Sequence, residues 1–282
     1  MSKVAIITDS TVNLPSETIQ ALDIKLMHQI LIWGGKTYLD LIDIQNDEFY
    51  RRLKVDKDNP TTSQASVGEF KDAFGHLINQ GYEILAMLLS HKLSGTIQSA
   101  TQALEFFPDA PIKIFDTTST SLGMGWQVVE TARAAQHGAS MAECLTIAEK
   151  ARANSGVVFV VDTLEFLHRG GRIGGAARFM GTALGLKPIL ELVDGRIEAV
   201  ERVPTQRKAV NRMVELVRER IGERTPVKLG ILNADAPERG KQLADQCQEV
   251  FKPVELISSP VSPVIGTHTG PGTLGIAYMA GM

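Results

Sequence analysis

A chain of 282 residues with 44% hydrophobic and 22% charged side chains can bury a real core, has room for two domains, and is not a disordered sequence. Its net charge of −3 argues against a general surface for nucleic acid or anionic membrane. The two cysteines, Cys144 and Cys247, lie in helix-like stretches; they suggest neither a disulfide framework nor a zinc site, and read as reduced, partly buried thiols.

The chain opens on "KVAIITDS", a buried strand that ends in a turn, with no long apolar signal core before it. No apolar run reaches the length of a membrane span, so a cytoplasmic protein is expected. "YEILAMLLS" (82–90) and "IKIF" (112–115) are further short apolar strands. Helical patterns lie between and after them: "SVGEFKDAFGHLINQ", "SGTIQSATQALEFF" and "LGMGWQVVETARAAQ". Ser66 and Glu69 fit a capping box at the start of the first, and Ser140 with Glu143 fit another at "SMAECLTIAEKARANS". Alternating strand and helix predicts a parallel sheet covered by helices on both faces. The second capped helix is read as leading out of a first domain, residues 1–153, into a second, residues 154–282.

The second half has a different grammar. "GVVFVVDTLEFLHRGGRI" is a strand followed by a basic, glycine-rich turn. "KPILELVDGRIEAVERV" is two strand-like runs around Asp194-Gly195, a strong short-range hairpin signal that implies antiparallel pairing. Helix "TQRKAVNRMVELVRERI", strand "VKLGILNA", helix "PERGKQLADQCQEVF" and strand "PVELISSP" follow. The expectation is a two-domain α/β protein, parallel in its first sheet and mixed in its second.

Chemistry-bearing residues gather at strand ends, where open α/β sheets bind ligands. Asp9 and Ser10 follow the first strand, Ser94 and Gly95 sit where a helix begins, and Asp116 and Thr117 follow a third strand. "PTTSQAS" (60–66) adds Thr61, Thr62, Ser63 and Ser66 without a single charge. A helix start offers free N–H groups and partial positive charge, so "LSGTIQSA" suits an oxyanion, although a serine there more often only caps its helix. "IGTHTGPGTLGIAY" (265–278) surrounds His268 and Thr269 with glycines. It lacks the Lys-Ser/Thr pair of a P-loop, and its GPGTLG spacing is weak evidence for a dinucleotide site. "FLHRGGRI" sets His168, Arg169 and Arg172 on a glycine turn, either a solvated basic loop or a docking surface for an acidic partner or a phosphate. Ser94, His268 and Asp9 or Asp116 supply the residue types of a hydrolase triad, but Ser94 is not in a G-x-S-x-G elbow. No metal-ligand spacing is present.

In order along the chain, "IITDSTVNLP", "PTTSQAS", "LSGTIQSA", "FDTTSTSLGMG", "DTLEFLHRGGRI", "LKPIL" and "HTGPGTLG" resemble the DegV family, bacterial fatty-acid-binding proteins that carry acyl chains for a fatty acid kinase. The resemblance implies two α/β domains with a long-chain fatty acid between them and no cofactor. It implies that Thr61, Thr62, Ser94 and Gly95 hold the carboxylate, with His268 and Thr269 facing them, and that Asp9, Ser10, Ser63, Asp116 and Ser121 shape the rim. It further implies that Arg169, Gly170, Gly171 and Arg172 belong to a surface that meets the kinase. The chain would be no enzyme itself; the kinase would phosphorylate the bound acid with ATP. The sequence departs from the family pattern in "TTSQAS", where proline often precedes the last serine, at Thr117, where serine is usual, and at Arg169, where lysine is usual. With no Lys or Arg in "PTTSQAS" or "LSGTIQSA", a carboxylate would be held without a fixed cation. The apolar residues of 179–186 and of Leu31 to Trp33 are candidates for a tail tunnel, ordinary core being the alternative.

Overall fold

The computed structural model describes residues 3–181 and 185–282. In chain order the first part runs β1 (Val4–Asp9), α1 (Ser16–Ala21), β2 (Lys25–Met27), β3 (Ile30–Trp33), β4 (Lys36–Leu39), α2 (Asn46–Leu53), β5 (Thr61–Ser63), α3 (Val67–Asn79), β6 (Glu83–Leu88), α4 (Thr96–Ala103), β7 (Ile112–Asp116), α5 (Ser121–Gln136) and α6 (Met141–Asn154). The rest runs β8 (Ser155–Val160), α7 (Glu165–Arg169), β9 (Lys187–Val193), β10 (Arg196–Val203), α8 (Gln206–Ile221), β11 (Val227–Asn233), α9 (Pro237–Phe251), β12 (Glu255–Pro260), α10 (Pro263–Thr269) and β13 (Leu274–Ala280).

Three sheets form. Strands β2-β1-β6-β7 make a parallel sheet, as the alternation predicts. Strands β10-β9-β8-β13-β11-β12 make a six-stranded sheet, antiparallel except between β11 and β12. The third, β4-β3-β5, is a small antiparallel sheet that the strand–helix alternation does not announce. Its strands are three or four residues long, too short to display a period-2 pattern, and "PTTSQAS" contributes one of them.

Local rules hold where they are strong. Ser66 Oγ accepts from Glu69 N while Glu69 returns the bond to Ser66 N, and Ser140 and Glu143 do the same at α6. Asp194 and Gly195 both have positive φ, +48° and +77°, and turn β9 into β10. Cys144 and Cys247 are both buried and unpaired. The glycine-rich C-terminal stretch, by contrast, is no simple loop. Its first half is α10, and "LGIAYMA" is β13, fully buried at the centre of the six-stranded sheet. A continuous apolar run without alternation is what a strand covered on both faces looks like.

One helix holds the parallel and six-stranded sheets together. Eleven of the sixteen residues of α5 are buried, so it has no wet face. It packs on β1 on one side and on β8, β11 and β13 on the other. Close approach depends on small residues: a Cβ on Gly123 would stand 2.3 Å from Val157 Cγ2, and one on Gly230 would stand 2.7 Å from Leu122. Arg133 of α5 adds a two-pronged ion pair to Glu255 of β12, at 2.8 and 2.6 Å.

Gly123→Ala tests this packing. Overfilling a tight core contact costs about 1–3 kcal/mol, so the variant should melt several degrees below the wild type in thermal denaturation followed by circular dichroism. An unchanged midpoint would mean that α5 does not clamp the sheets this closely.

Candidate functional site

Between the sheets lies a cavity with about 930 Å³ of empty space, its open mouth included. Its walls come from both halves of the sequence. One region is aliphatic and aromatic: Val157 and Phe159 of β8, Leu232 of β11, and Leu192 and Ile197 of the β9–β10 hairpin. Another is polar, with Thr62, Ser63, Ser94, Ser121, His268 and Thr269 in the wall.

The polar side is built where strand ends meet α10. Thr62 on β5 and His268 on the last turn of α10, 206 positions apart in sequence, are joined by a 2.8 Å hydrogen bond between Oγ1 and Nε2. His268 Nδ1 has no hydrogen-bond partner among the described residues and abuts Gly170, where a Cβ would lie 2.0 Å from it. The glycine turn thus makes room for the imidazole. Ser94 Oγ lies 2.9 Å from Thr96 Oγ1 and accepts from Thr96 N at 3.3 Å, just before α4. Ser121 Oγ donates to Asn13 Oδ1 at 3.0 Å, and Ser121 holds a left-handed φ of +55° at the cavity wall. A non-glycine residue in that region carries a small conformational cost, and such residues recur at binding sites.

The other expected site residues have different placements. Thr61 is exposed and outside the wall. Gly95 caps α4 from below the wall; a Cβ there would stand 3.0 Å from Gln64 Nε2, so its bareness admits the Gln64 side chain. Asp9 is fully buried and accepts from Thr11 N, Thr11 Oγ1 and Leu89 N at 3.0, 2.5 and 2.9 Å, tying the end of β1 to the end of β6. Ser10 lies one layer behind the wall. Asp116 pairs with His91 and accepts from Thr118 N, away from the cavity. These partners leave no triad: neither aspartate bonds His268, whose ring hydrogen bond among the described residues is to Thr62.

Arg172 changes the electrostatic picture. Its side chain folds back from the glycine turn into the cavity wall, with Nε donating to Leu93 O at 3.0 Å and Nη1 to Gly170 O at 2.7 Å. The polar region therefore does contain a fixed cation. The sequence had it near the right elements, but the direction of the side chain depends on Gly171, whose φ of +70° turns the chain back. Arg169 remains outside, exposed and stacked over Phe166 at 4.8 Å. Leu31 and Trp33 belong to the core, Trp33 against Phe49 at 5.5 Å, and do not line the cavity. Of the stretch 179–186, residues 182–184 lie outside the described residues, and Phe179 sits beneath the Arg202 guanidinium. Gln29, Gln64, Thr11 and Thr120 line the cavity without having been singled out. Gln64 sits within the hydroxyl-rich stretch itself and was the one readable signal among them.

The glycines of "HTGPGTLG" join a helix to a following strand, with Gly270 closing α10 and Gly272 N donating to Ala234 O at 2.7 Å. Phosphate loops run from strand to helix, the reverse order, so this segment is no nucleotide cradle. Among the described residues no group of three or more His, Cys, Asp or Glu could hold a metal ion, and no helix is long and apolar enough to cross a membrane.

The model of the DegV family of uncharacterised proteins matches residues 3–281. The chain belongs to the DegV family. It is 33% identical to a DegV domain-containing protein of Halalkalibacterium halodurans over 99% of both chains, and 36% identical to one of Streptomyces coelicolor over 97% of both. Its fold matches the structure of a DegV family protein from Thermus thermophilus described by its fatty acid binding, with a TM-score of 0.91, 33% identity and 99% of each chain covered. DegV of Bacillus subtilis, described as a fatty acid binding protein, matches with a TM-score of 0.90 at 29% identity, over 99% of this chain and 100% of that one.

In this DegV chain burial, helped by the nearby Arg172 charge, pushes the His268 imidazole down from its usual 6.5 to about 4. The ring is therefore neutral at pH 7. In the unfolded chain it protonates near its ordinary value, so between about 6.5 and 4 the unfolded state binds more protons and stability falls as pH drops. The corresponding measurement is a pH titration of histidine ring resonances by NMR on the ligand-free protein. The His268 signal, assigned by its loss in His268→Gln, should stay at neutral-ring values down to about pH 5; a midpoint near 6.5 would show that the ring is not sequestered.

Proposed function

We propose that this chain binds a long-chain fatty acid in the cavity, with the carboxylate among Thr62, Ser94, His268 and Arg172 and the acyl chain against the face of the six-stranded sheet. In this reading residues 1–153 and 154–282 act as two lobes about one ligand. The observation that carries it is a single, mainly apolar cavity wall that also presents hydroxyl, imidazole and guanidinium groups. The relatives add support. Besides the proteins from Thermus thermophilus and Bacillus subtilis, a stearic acid-binding protein from Eubacterium ventriosum shares the fold with a TM-score of 0.89 at 25% identity.

The energetics suit such a ligand. Each buried methylene contributes about 0.8 kcal/mol, so a long acyl chain gains on the order of 10 kcal/mol before the losses of freedom on binding are subtracted. The headgroup is the difficult part, because a desolvated carboxylate needs charge-assisted hydrogen bonds. Two hydroxyls, a neutral imidazole and one guanidinium already engaged with backbone carbonyls meet that need and leave the carboxylate oxygens incompletely neutralised.

The finer part of the proposal is that the chain acts in the cytoplasm and presents this carboxylate to a separate fatty acid kinase. The kinase transfers the γ-phosphoryl of ATP to a carboxylate oxygen, giving acyl phosphate and ADP. The exposed Arg169 and Gly171 are the parts of the glycine turn left to meet that partner, since Arg172 and Gly170 are committed to the cavity.

Mass spectrometry of organic extracts from purified protein should detect a copurifying fatty acid, and delipidated protein should take one up. Ser94→Ala should weaken binding about tenfold, the size of one hydrogen bond to a charged group, and Arg172→Glu should weaken it more by setting like charges together. Affinities equal to wild type in both would move the headgroup elsewhere. With a fatty acid kinase and ATP, hydroxylamine trapping should reveal acyl phosphate; lipid-loaded protein that yields none would remove the presenting role while leaving the binding role standing.

A further inference from the structure

Asp40 is a wholly buried carboxylate just past β4, outside the cavity wall. No lysine or arginine among the described residues lies within ion-pair reach of it. Its Oδ2 accepts from Ser10 Oγ at 2.7 Å, and its Oδ1 accepts from Val264 N at 3.2 Å. Each contact starts a path to the polar end of the cavity.

The first path runs through side chains. Ser10 Oγ accepts from Gln29 N at 3.0 Å; Gln29 Nε2 donates to Thr96 Oγ1 at 3.1 Å; Thr96 Oγ1 lies 2.9 Å from Ser94 Oγ. The second path is a helix. Val264 is the second residue of α10, whose own N-cap residue, Ser262, makes no side-chain capping bond. Asp40, 224 positions away, takes the helix N–H instead. Four residues on, α10 delivers His268 to Thr62.

We propose that Asp40 is a positioning residue for the headgroup site, fixing α10 and its His268 against the Ser94 side of the cavity. This rests on the fatty acid reading above. The chemistry of the contacts calls for a carboxylate, not merely a polar group. Both Val264 N–H and Ser10 O–H donate, and Ser10 Oγ is already accepting from Gln29 N. Asparagine has one acceptor atom for two donors, so either the helix N–H or the serine hydroxyl loses its partner, and a buried orphan donor is costly.

The same burial makes Asp40 responsive to pH. Desolvation, opposed by the bonds from Ser10 and Val264 N and reinforced by nearby Asp9, raises its carboxyl from 3.8 to about 7. The remaining groups that face it are His28, whose Nδ1 bonds the Asp40 carbonyl at 2.7 Å, and the buried Tyr50 of α2. Protonation on Oδ2 reverses the Ser10 bond and so disturbs the relay toward Ser94.

The test compares fatty acid affinity of delipidated wild type and Asp40→Asn between pH 6 and pH 8, using a fluorescent long-chain fatty acid. Asp40→Asn should bind about tenfold more weakly at pH 8, and the wild type's affinity should change across the range while the variant's stays flat. Equal affinity and equal pH profiles would overturn the assignment. Wild type that binds no fatty acid at any pH would instead overturn the function it rests on. A measurement on the wild type alone covers the case in which the variant does not fold. His268 keeps a neutral ring over this range, so a small displacement of its resonances within the neutral-ring range, not the large displacement of ring protonation, reports Asp40 through α10. Ring resonances flat across that range would overturn the proposal.

Discussion

A charged headgroup beside aliphatic walls would require donors on more than one side of it, and a single bond between distant segments brings such donors together here. Thr62 and His268 belong to β5 and α10, the first an edge strand of a three-residue kind, the second a seven-residue helix. Neither element stands alone. β5 is held by its pairing to β3, and α10 by the capping carboxylate of Asp40 and by β13, which continues from it into the centre of the six-stranded sheet. The site is thus a consequence of how the parallel and six-stranded sheets are brought together around α5.

The electrostatics follow from the same closeness. A histidine that met a carboxylate would have its ring oriented and its basicity raised, as a general base requires. His268 has instead a hydroxyl on one nitrogen and a glycine against the other, and its burial and the nearby guanidinium favour the neutral ring. A neutral imidazole is a donor or acceptor of fixed geometry and a poor proton carrier at pH 7. Ser94 is tied to Thr96, and no base among the described residues is bonded to it. This arrangement suits holding an acid and does not suit cleaving an ester.

How much of this was legible in the sequence depended on the range of the interaction involved. Capping boxes at Ser66 and Ser140, the Asp194-Gly195 turn and the long strands and helices are decided within a few residues, and they were readable. The small β4-β3-β5 sheet was not, because three- and four-residue strands rely on partners for their definition. β13 was hidden behind glycines that looked like loop, although its apolar run was in plain view. The site divided in the same way. Thr62, Ser94 and His268, which stand in the cavity wall, were singled out from hydroxyls at strand ends and a histidine among glycines. Thr61 was grouped with its neighbour, since "PTTSQAS" gives no reason to separate the exposed threonine from the one in the cavity wall. Arg172 was read as surface because nothing local says that Gly171 turns its side chain inward.

The buried aspartates sharpen the point about range. Asp9 and Asp40 are both removed from water with no counter-cation among the described residues, and burial raises both carboxyls. Asp9 satisfies its oxygens with donors from the segments on either side of it in the parallel sheet, so its role is to fasten β1 to β6. Asp40 spends its two oxygens on opposite halves of the sequence, one on the turn after β1 and the other on α10. A buried charge is an expensive way to gain stability, since well-packed apolar residues serve as well. What it supplies is a geometry that few alternative packings can satisfy. Two donors converge on Asp40, Ser10 from behind the cavity and Val264 N from α10 in its wall, and the carboxylate fixes their separation in a way that a leucine of similar volume would not.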